Sequence, residues 1–236
     1  MKKIFNTISV LLLLQSAAYA QQPAHRTTAT KVADVLAQQP AEEINKFLEV
    51  MKQLEGFSEA DIVGLLSGLK PQGQDNAGLE YASNSYAFYV MQPGKEQQRL
   101  TYVNGLLQAL DKLSDANNKS YVLELLKFCA KDEAVDKVAS YLTDEYLAEK
   151  AARVLSGIHT AKAGEALHQA LKTASSEKIA TAILGAIAEV KVTQAEDDVL
   201  AILSKYNSEN FQRVALTALS EIGTSKSFNV FNDKAK

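Results

Sequence analysis

Apolar positions in the second half of the chain recur three and four residues apart, the period of a helix with one buried face. Leu147, Ala151, Val154, Leu155 and Ile158 form one such ladder. It returns as Ile179, Ile183, Ala186, Ile187 and Val190, and again as Phe211, Ala215, Ala218, Leu219 and Ile222, each step being 32 residues. A fixed step of this size predicts a stacked-helix array. Each ladder follows a shorter apolar triplet: Val138, Tyr141 and Leu142, then Leu167, Ala170 and Leu171, then Val199, Ile202 and Leu203. Every repeat is therefore expected to hold two amphipathic helices. Val122, Leu125, Leu126 and Cys129 match the first ladder at a step of 29, so the array begins earlier with a less regular unit.

Upstream, the pattern predicts a short helix from Lys31 to Gln38 and a second one with Pro40 at its first position, running through Ile44, Phe47, Leu48, Met51 and Leu54 to Gly56. Ser58, followed by Asp61, reads as the N-cap of a third, with Ile62, Leu65, Leu66 and Leu69 as its buried stripe. After the turn-rich stretch starting at Pro71, a Tyr-rich helix spans about 76–91. Pro93-Gly94 breaks it, and two further helices run over about 95–113 and 119–130. No stretch alternates apolar and polar residues as a half-buried strand does, so the fold class is all-α.

The first 20 residues follow a different logic. Lys2 and Lys3 precede an apolar run from Ile4 to Leu14, and Ala18-Tyr19-Ala20 supplies a small-x-small cleavage site. Residues 1–20 read as a signal peptide, which predicts a mature start at Gln21 and a periplasmic or secreted location. Residues 21–28 read as a linker, 29–113 as a divergent N-terminal helical region, 114–224 as the regular repeats and 225–236 as the start of an incomplete further repeat. Removing Lys2 and Lys3 from 25 basic residues leaves 23 against 28 acidic ones, a formal charge of −5. That balance does not suit a phosphate backbone, so no nucleic-acid partner is expected, and no membrane span remains after cleavage. The lone Cys129 excludes an intramolecular disulfide and sits on an apolar helix face as a small hydrophobe.

The ankyrin Thr-Pro-Leu-His turn and the tetratricopeptide proline are both missing. Leu155-Ser-Gly-Ile158 and Leu219-Ser-Glu-Ile222-Gly223 instead close Ala-rich second helices. Residues 114–224 thus resemble HEAT-like repeats of the type found in phycobilisome lyases, which implies a right-handed α-solenoid of HEAT-like helix pairs and carries no lyase chemistry. ADVLAQQP (33–40), GQDNAGLEYA (73–82) and KDEAVDKVASYLTDE (131–145) resemble the helical N-terminal region of secreted Bacteroidetes proteins, where such repeats precede a sandwich of the 3-keto-disaccharide hydrolase type. The sequence given stops at Lys236 without that sandwich, so hydrolysis is not carried over to these residues.

No combination of nucleophile, base and orienting group, no P-loop and no dinucleotide fingerprint can be assembled. The expectation is a non-enzyme with no cofactor and no metal. His25, His159 and His168 lack metal-ligand spacing and read as structural or surface residues, with His168 beside the buried triplet. Glu42-Glu43 and Asp197-Asp198 read as first-turn carboxylates meeting the helix dipole. The candidate partner surface is the polar flank of the second helices: Tyr146, Glu149 and Arg153, then Lys178 and Thr181, then Asn210, Arg213 and Thr217. Thr224 reads as an N-cap opening a further first helix, where Phe228, Val230 and Phe231 form a candidate docking edge. Tyr81, Tyr86, Phe88, Tyr89 and Tyr102 read as core with hydroxyls at the rim. The leading expectation is an exported interaction module that binds a protein partner or an adjacent domain. The alternative is the accessory region of a secreted carbohydrate-active enzyme, the one reading in which carbohydrate enters.

Overall fold

A computed structural model describes residues 26–234, and every regular element among them is helical. The signal-peptide reading and His25 lie outside the described residues. Helix α1 spans Thr28–Leu36, α2 Ile44–Glu55, α3 Glu59–Leu66, α4 Ala77–Tyr89, α5 Glu96–Lys112 and α6 Ala116–Cys129. A short α7, Val135–Ala139, lies between two 3-10 turns, Asp132–Ala134 and Ser140–Thr143. Then follow α8 (Ala148–Ile158), α9 (Ala161–Lys172), α10 (Glu177–Val190), a 3-10 turn (Thr193–Ala195), α11 (Glu196–Leu203), α12 (Glu209–Ile222) and α13 (Phe228–Lys234).

The ladders become the packing surface. In sequence order α6, α8, α10 and α12 pack side by side, and α7, α9 and α11 each pack against the helix that follows. The same pairing extends upstream: α3 packs on α5, α4 on α6, and α5 on α6. Of the fifteen ladder side chains, Ile158 and Val190, at the helix ends, are half-buried and the other thirteen are buried. Where α3 crosses α5 the backbones come close because residue 105 is glycine, and a Cβ there would lie 2.6 Å from Ile62 Cβ.

Helix ends are set by local chemistry. Ser58 and Asp61 form a reciprocal capping box at α3, and Thr160, Ser176 and Ser208 each accept a hydrogen bond from the third backbone N–H of α9, α10 and α12. His159 (φ 54) and Lys191 (φ 61) end α8 and α10 in the left-handed region, one repeat step apart. Residue 223, at the same register, is a glycine with extended backbone (φ −71, ψ 152), and its missing Cβ leaves room for the Leu219 carbonyl and Ser227.

Polar bonds tie successive pairs together. Arg99 on α5, 2% exposed, donates from Nη1 to the Cys129 carbonyl at 2.8 Å and to Glu133 Oε1 at 2.6 Å, and from Nη2 to Glu96 at 2.9 Å. Lys162 pairs with Asp136 at 2.8 Å and Lys226 with Asp197 at 2.9 Å. Buried Glu196 accepts from Thr224 N at 2.7 Å and Ser227 Oγ at 2.7 Å, which fastens α13 to the preceding pair.

Several local expectations change. Pro40 does not open α2, because the chain turns over 37–43 to bury Ala41, whose carbonyl accepts from Tyr81, and the helix starts at Ile44. Glu42 and Glu43 consequently precede the helix instead of lying in its first turn, and Glu43 makes no side-chain cap bond. Thr28 is already helical, so the linker ends before it. The first helix of the 131–158 unit is broken into α7 and its flanking 3-10 turns. Thr224 does not cap α13, which begins at Phe228; its side chain is taken by Glu196.

Candidate partner groove

Because α6, α8, α10 and α12 lie side by side, residues at one register of each helix line up across them. At their polar flank lies a groove of about 1040 Å³. Six of the eight candidate surface residues line it: Glu149, Arg153, Lys178, Thr181, Asn210 and Arg213. Two do not. Exposed Tyr146 reaches back to hydrogen-bond Asn117, and Thr217 donates to the Arg213 carbonyl at 2.9 Å on the exposed face of α12.

The floor is made of small residues that the polar-flank pattern could not pick out: Ala148, Ser156, Gly157, Ala182, Gly185 and Ala186. Gly185 occupies the register of Arg153 one repeat later, so a long side chain on α8 is followed by none on α10. A Cβ at Gly185 would meet nothing within 4 Å, so no packing reason accounts for glycine in the middle of this helix. A lone glycine inside an Ala-rich helical pattern, at a register that holds a long side chain elsewhere, was the available signal.

Charge in the groove is mixed and partly pinned along the helices. Arg153 pairs with Glu149 at 3.1 Å, Arg213 donates to Asn210 at 2.9 Å, and Ser208 bonds Glu177 across α10 and α12. Lys178, Glu145 and Glu189 make no ion pair among the described residues and leave charge of both signs open to a ligand. Beside the groove, the Lys150 ammonium at 2.9 Å holds the Glu124 carboxyl below the usual carboxylate range. Such a surface offers hydrogen bonds and ion pairs over a shallow channel.

The remaining candidates scatter. Phe228 (63% exposed) and Phe231 (36%) stand open at the α12–α13 edge, where a second pocket of about 590 Å³ lies beside Leu219, Ser220 and Gly223. Val230 is half-buried against the core and drops out of the exposed edge. His168 is buried rather than on the surface, and its Nε2 lies 2.7 Å from Asp198 Oδ2, so it links α9 to α11. Asp197 and Asp198 do stand in the first turn of α11, but their carboxylates bond Lys226 and His168. His159 serves as the left-handed end of α8. Burial pushes the Cys129 thiol up to about 12, which leaves it unreactive near neutral pH.

The aromatic cluster divides. Tyr86 and Tyr102 are buried edge to face with centroids 5.0 Å apart, and the Tyr102 hydroxyl donates to the Ser83 carbonyl at 2.8 Å. Tyr89 is half-buried and donates to Glu55 at 3.1 Å. Tyr81 and Phe88 are exposed instead of core, Phe88 lying 4.5 Å from the Phe128 ring. Among the described residues no three His, Cys, Asp or Glu side chains converge as metal ligands, and no helix is long and apolar enough to cross a membrane. No protein-family model matches this chain, and no curated protein matches it either.

Proposed function

We propose that this protein is an exported, non-enzymatic interaction module: a right-handed α-solenoid of HEAT-like helix pairs whose second-helix face binds a protein partner. The observation that carries this reading is the groove itself. Residues a repeat step apart on α8, α10 and α12 converge on one channel floored by small side chains, and a helix-interior glycine stands where only the channel uses its lack of a side chain. Repeat arrays present this kind of extended surface to their partners. The mixed charge favours a polypeptide, which carries both signs and backbone hydrogen-bonding groups, over a polyanion.

The test is site-specific photo-crosslinking in the exporting cell. A photoreactive residue at Thr181 or Arg213 should capture one discrete protein, and the same probe at Gln169, exposed on α9, should not. Gly185→Trp should abolish capture while leaving the helical spectrum unchanged. Equal capture from both faces, or capture that survives Gly185→Trp, would exclude the groove as the binding surface.

A further inference from the structure

The face that carries the groove continues upstream of α8. At the 29-residue step that joins α6 to the array, Asn117, Ser120 and Glu124 hold the registers of Tyr146, Glu149 and Arg153, and so of Lys178, Thr181 and Gly185 a further 32 residues on. Because α6 packs beside α8 as α8 packs beside α10, these residues stand in rows across the three helices. Where the rows reach α6 there is another pocket, of about 310 Å³, lined by Asn117, Asn118, Ser120 and Glu124 of α6 and by Lys150 of α8. Helix α8 therefore borders both hollows. Its Glu149 and Arg153 line the groove, while Lys150 pairs with Glu124 at 2.9 Å and the Tyr146 hydroxyl donates to Asn117, two bonds that cross from α8 to α6.

The pocket on α6 contains hydrogen-bonding capacity that the fold does not use. Asn118 is only 8% exposed. Its Nδ2 donates to the Leu69 carbonyl at 3.2 Å, and since a carbonyl takes only a donor, this bond fixes which way the amide is turned. Asn118 Oδ1 then accepts from no donor among the described residues. Next to it, Asn117 Oδ1 takes the Tyr146 hydroxyl, and Asn117 Nδ2 meets no acceptor among the described residues. A buried acceptor and a neighbouring donor thus line one small pocket. Its charges cancel: Glu124 is paired with Lys150, and Lys70 and Glu80 add one of each sign. A charged occupant would give up its water with no net charge to meet it, whereas a carboxamide carries both an N–H for Asn118 Oδ1 and a C=O for Asn117 Nδ2.

We propose, building on the groove reading above, that the bound polypeptide lies extended across α10, α8 and α6 and places an Asn or Gln side chain in the α6 pocket. Ser120 and Thr181 share a register two helices apart, a span of about 16–20 Å at ordinary helix spacing. An extended chain covers it in about five or six residues and turns alternate side chains to the same face, so that one reaches down on each side of the α8 bonds. A helix needs about eleven to thirteen residues for the same span.

The test places a small diazirine side chain at Ser120 or at Thr181 in the exporting cell and sequences the cross-linked peptides. Both positions should capture the same protein, at sites about five or six residues apart, with an Asn or Gln at or next to the Ser120 cross-link. The captured segment, made as a labelled peptide, is then titrated into the whole chain by fluorescence anisotropy. Changing its Asn or Gln to Ala, which cannot unfold the protein, should weaken binding about tenfold, and so should Asn117→Asp, which keeps the acceptor for Tyr146 and removes the donor. Circular dichroism of Asn117→Asp should match the parent. Capture at Thr181 without capture at Ser120 overturns this proposal and leaves the groove reading standing, whereas capture at neither overturns both. Different proteins at the two positions, cross-links about eleven or more residues apart, or equal binding of the parent and Ala peptides also overturn it.

Discussion

At the scale of single residues, two helical glycines separate the requirements of packing from those of the surface. Gly105 is buried where α3 and α5 cross, and an added Cβ would lie 2.6 Å and 2.7 Å from Ile62 atoms. Gly185 faces an open channel with nothing within 4 Å of that position. Gly185→Ala should therefore stabilise the protein by about 0.5–1 kcal/mol through helix propensity and unfolded-state entropy. Gly105→Ala should destabilise it by about 1–3 kcal/mol as the helices are forced apart. Urea titration of the two variants checks both signs. If both stabilise, the α3–α5 contact is looser than the distances above require.

At the scale of elements, the second helices and the first helices between them start alike. Ser176 and Ser208 receive the third backbone N–H of α10 and α12, and Thr160 does so for α9. Replacing Ser176 by Ala leaves that donor to water and should cost about 1 kcal/mol. Ser208→Ala should cost more, because the same hydroxyl also bonds Glu177 on the neighbouring helix and so joins α12 to α10. Thermal melts of the two single variants and of Ser208→Ala with Glu177→Ala separate the cap from the cross-link. Equal losses in Ser176→Ala and Ser208→Ala would mean that the cross-link adds nothing. Ser176 and Ser208 each stand three residues before an apolar ladder, at Ile179 and Phe211. The bond from Ser208 to Glu177 has no such local mark, because it joins residues 31 apart on different helices.

At the scale of the whole molecule, carboxylates that join distant helices make stability depend on pH. Burial alone would raise the Asp61 pKa, yet hydrogen bonds from Lys31, Thr28 and Ser58 together outweigh it and hold the carboxyl far below its ordinary range. Arg99 and then Lys131 lower Glu96 to about 2. Burial opposes, and Arg99 then lowers, the Glu133 carboxyl on the far side of the same guanidinium. Each group is ionised more readily folded than unfolded, so its contribution is complete above the ordinary carboxylate values of 3.8 and 4.5. It is lost as pH falls from there through about 2, where Glu96 titrates in the folded protein. Unfolding free energy should thus be level near neutrality and fall through that window. Asp61→Asn should lower stability near neutral pH and flatten the fall. A variant that keeps the parent's full acid sensitivity would show that Asp61 does not carry it.

The all-helical class, the buried ladders and the helix start at Ser58 follow from sequence alone, since period, residue type and capping act within a few neighbouring residues. Only the tertiary structure decided which exposed side chains meet. It gathered Glu149, Arg153, Lys178, Thr181, Asn210 and Arg213 around Gly185, left Tyr146 and Thr217 outside, and buried Arg99 between Glu96, Glu133 and the Cys129 carbonyl. It also turned Tyr81 and Phe88 to the surface and held Pro40 outside α2. Exposed polar residues carry no period that reports their neighbours, and contacts between residues about 30 positions apart depend on how whole faces of helices stack.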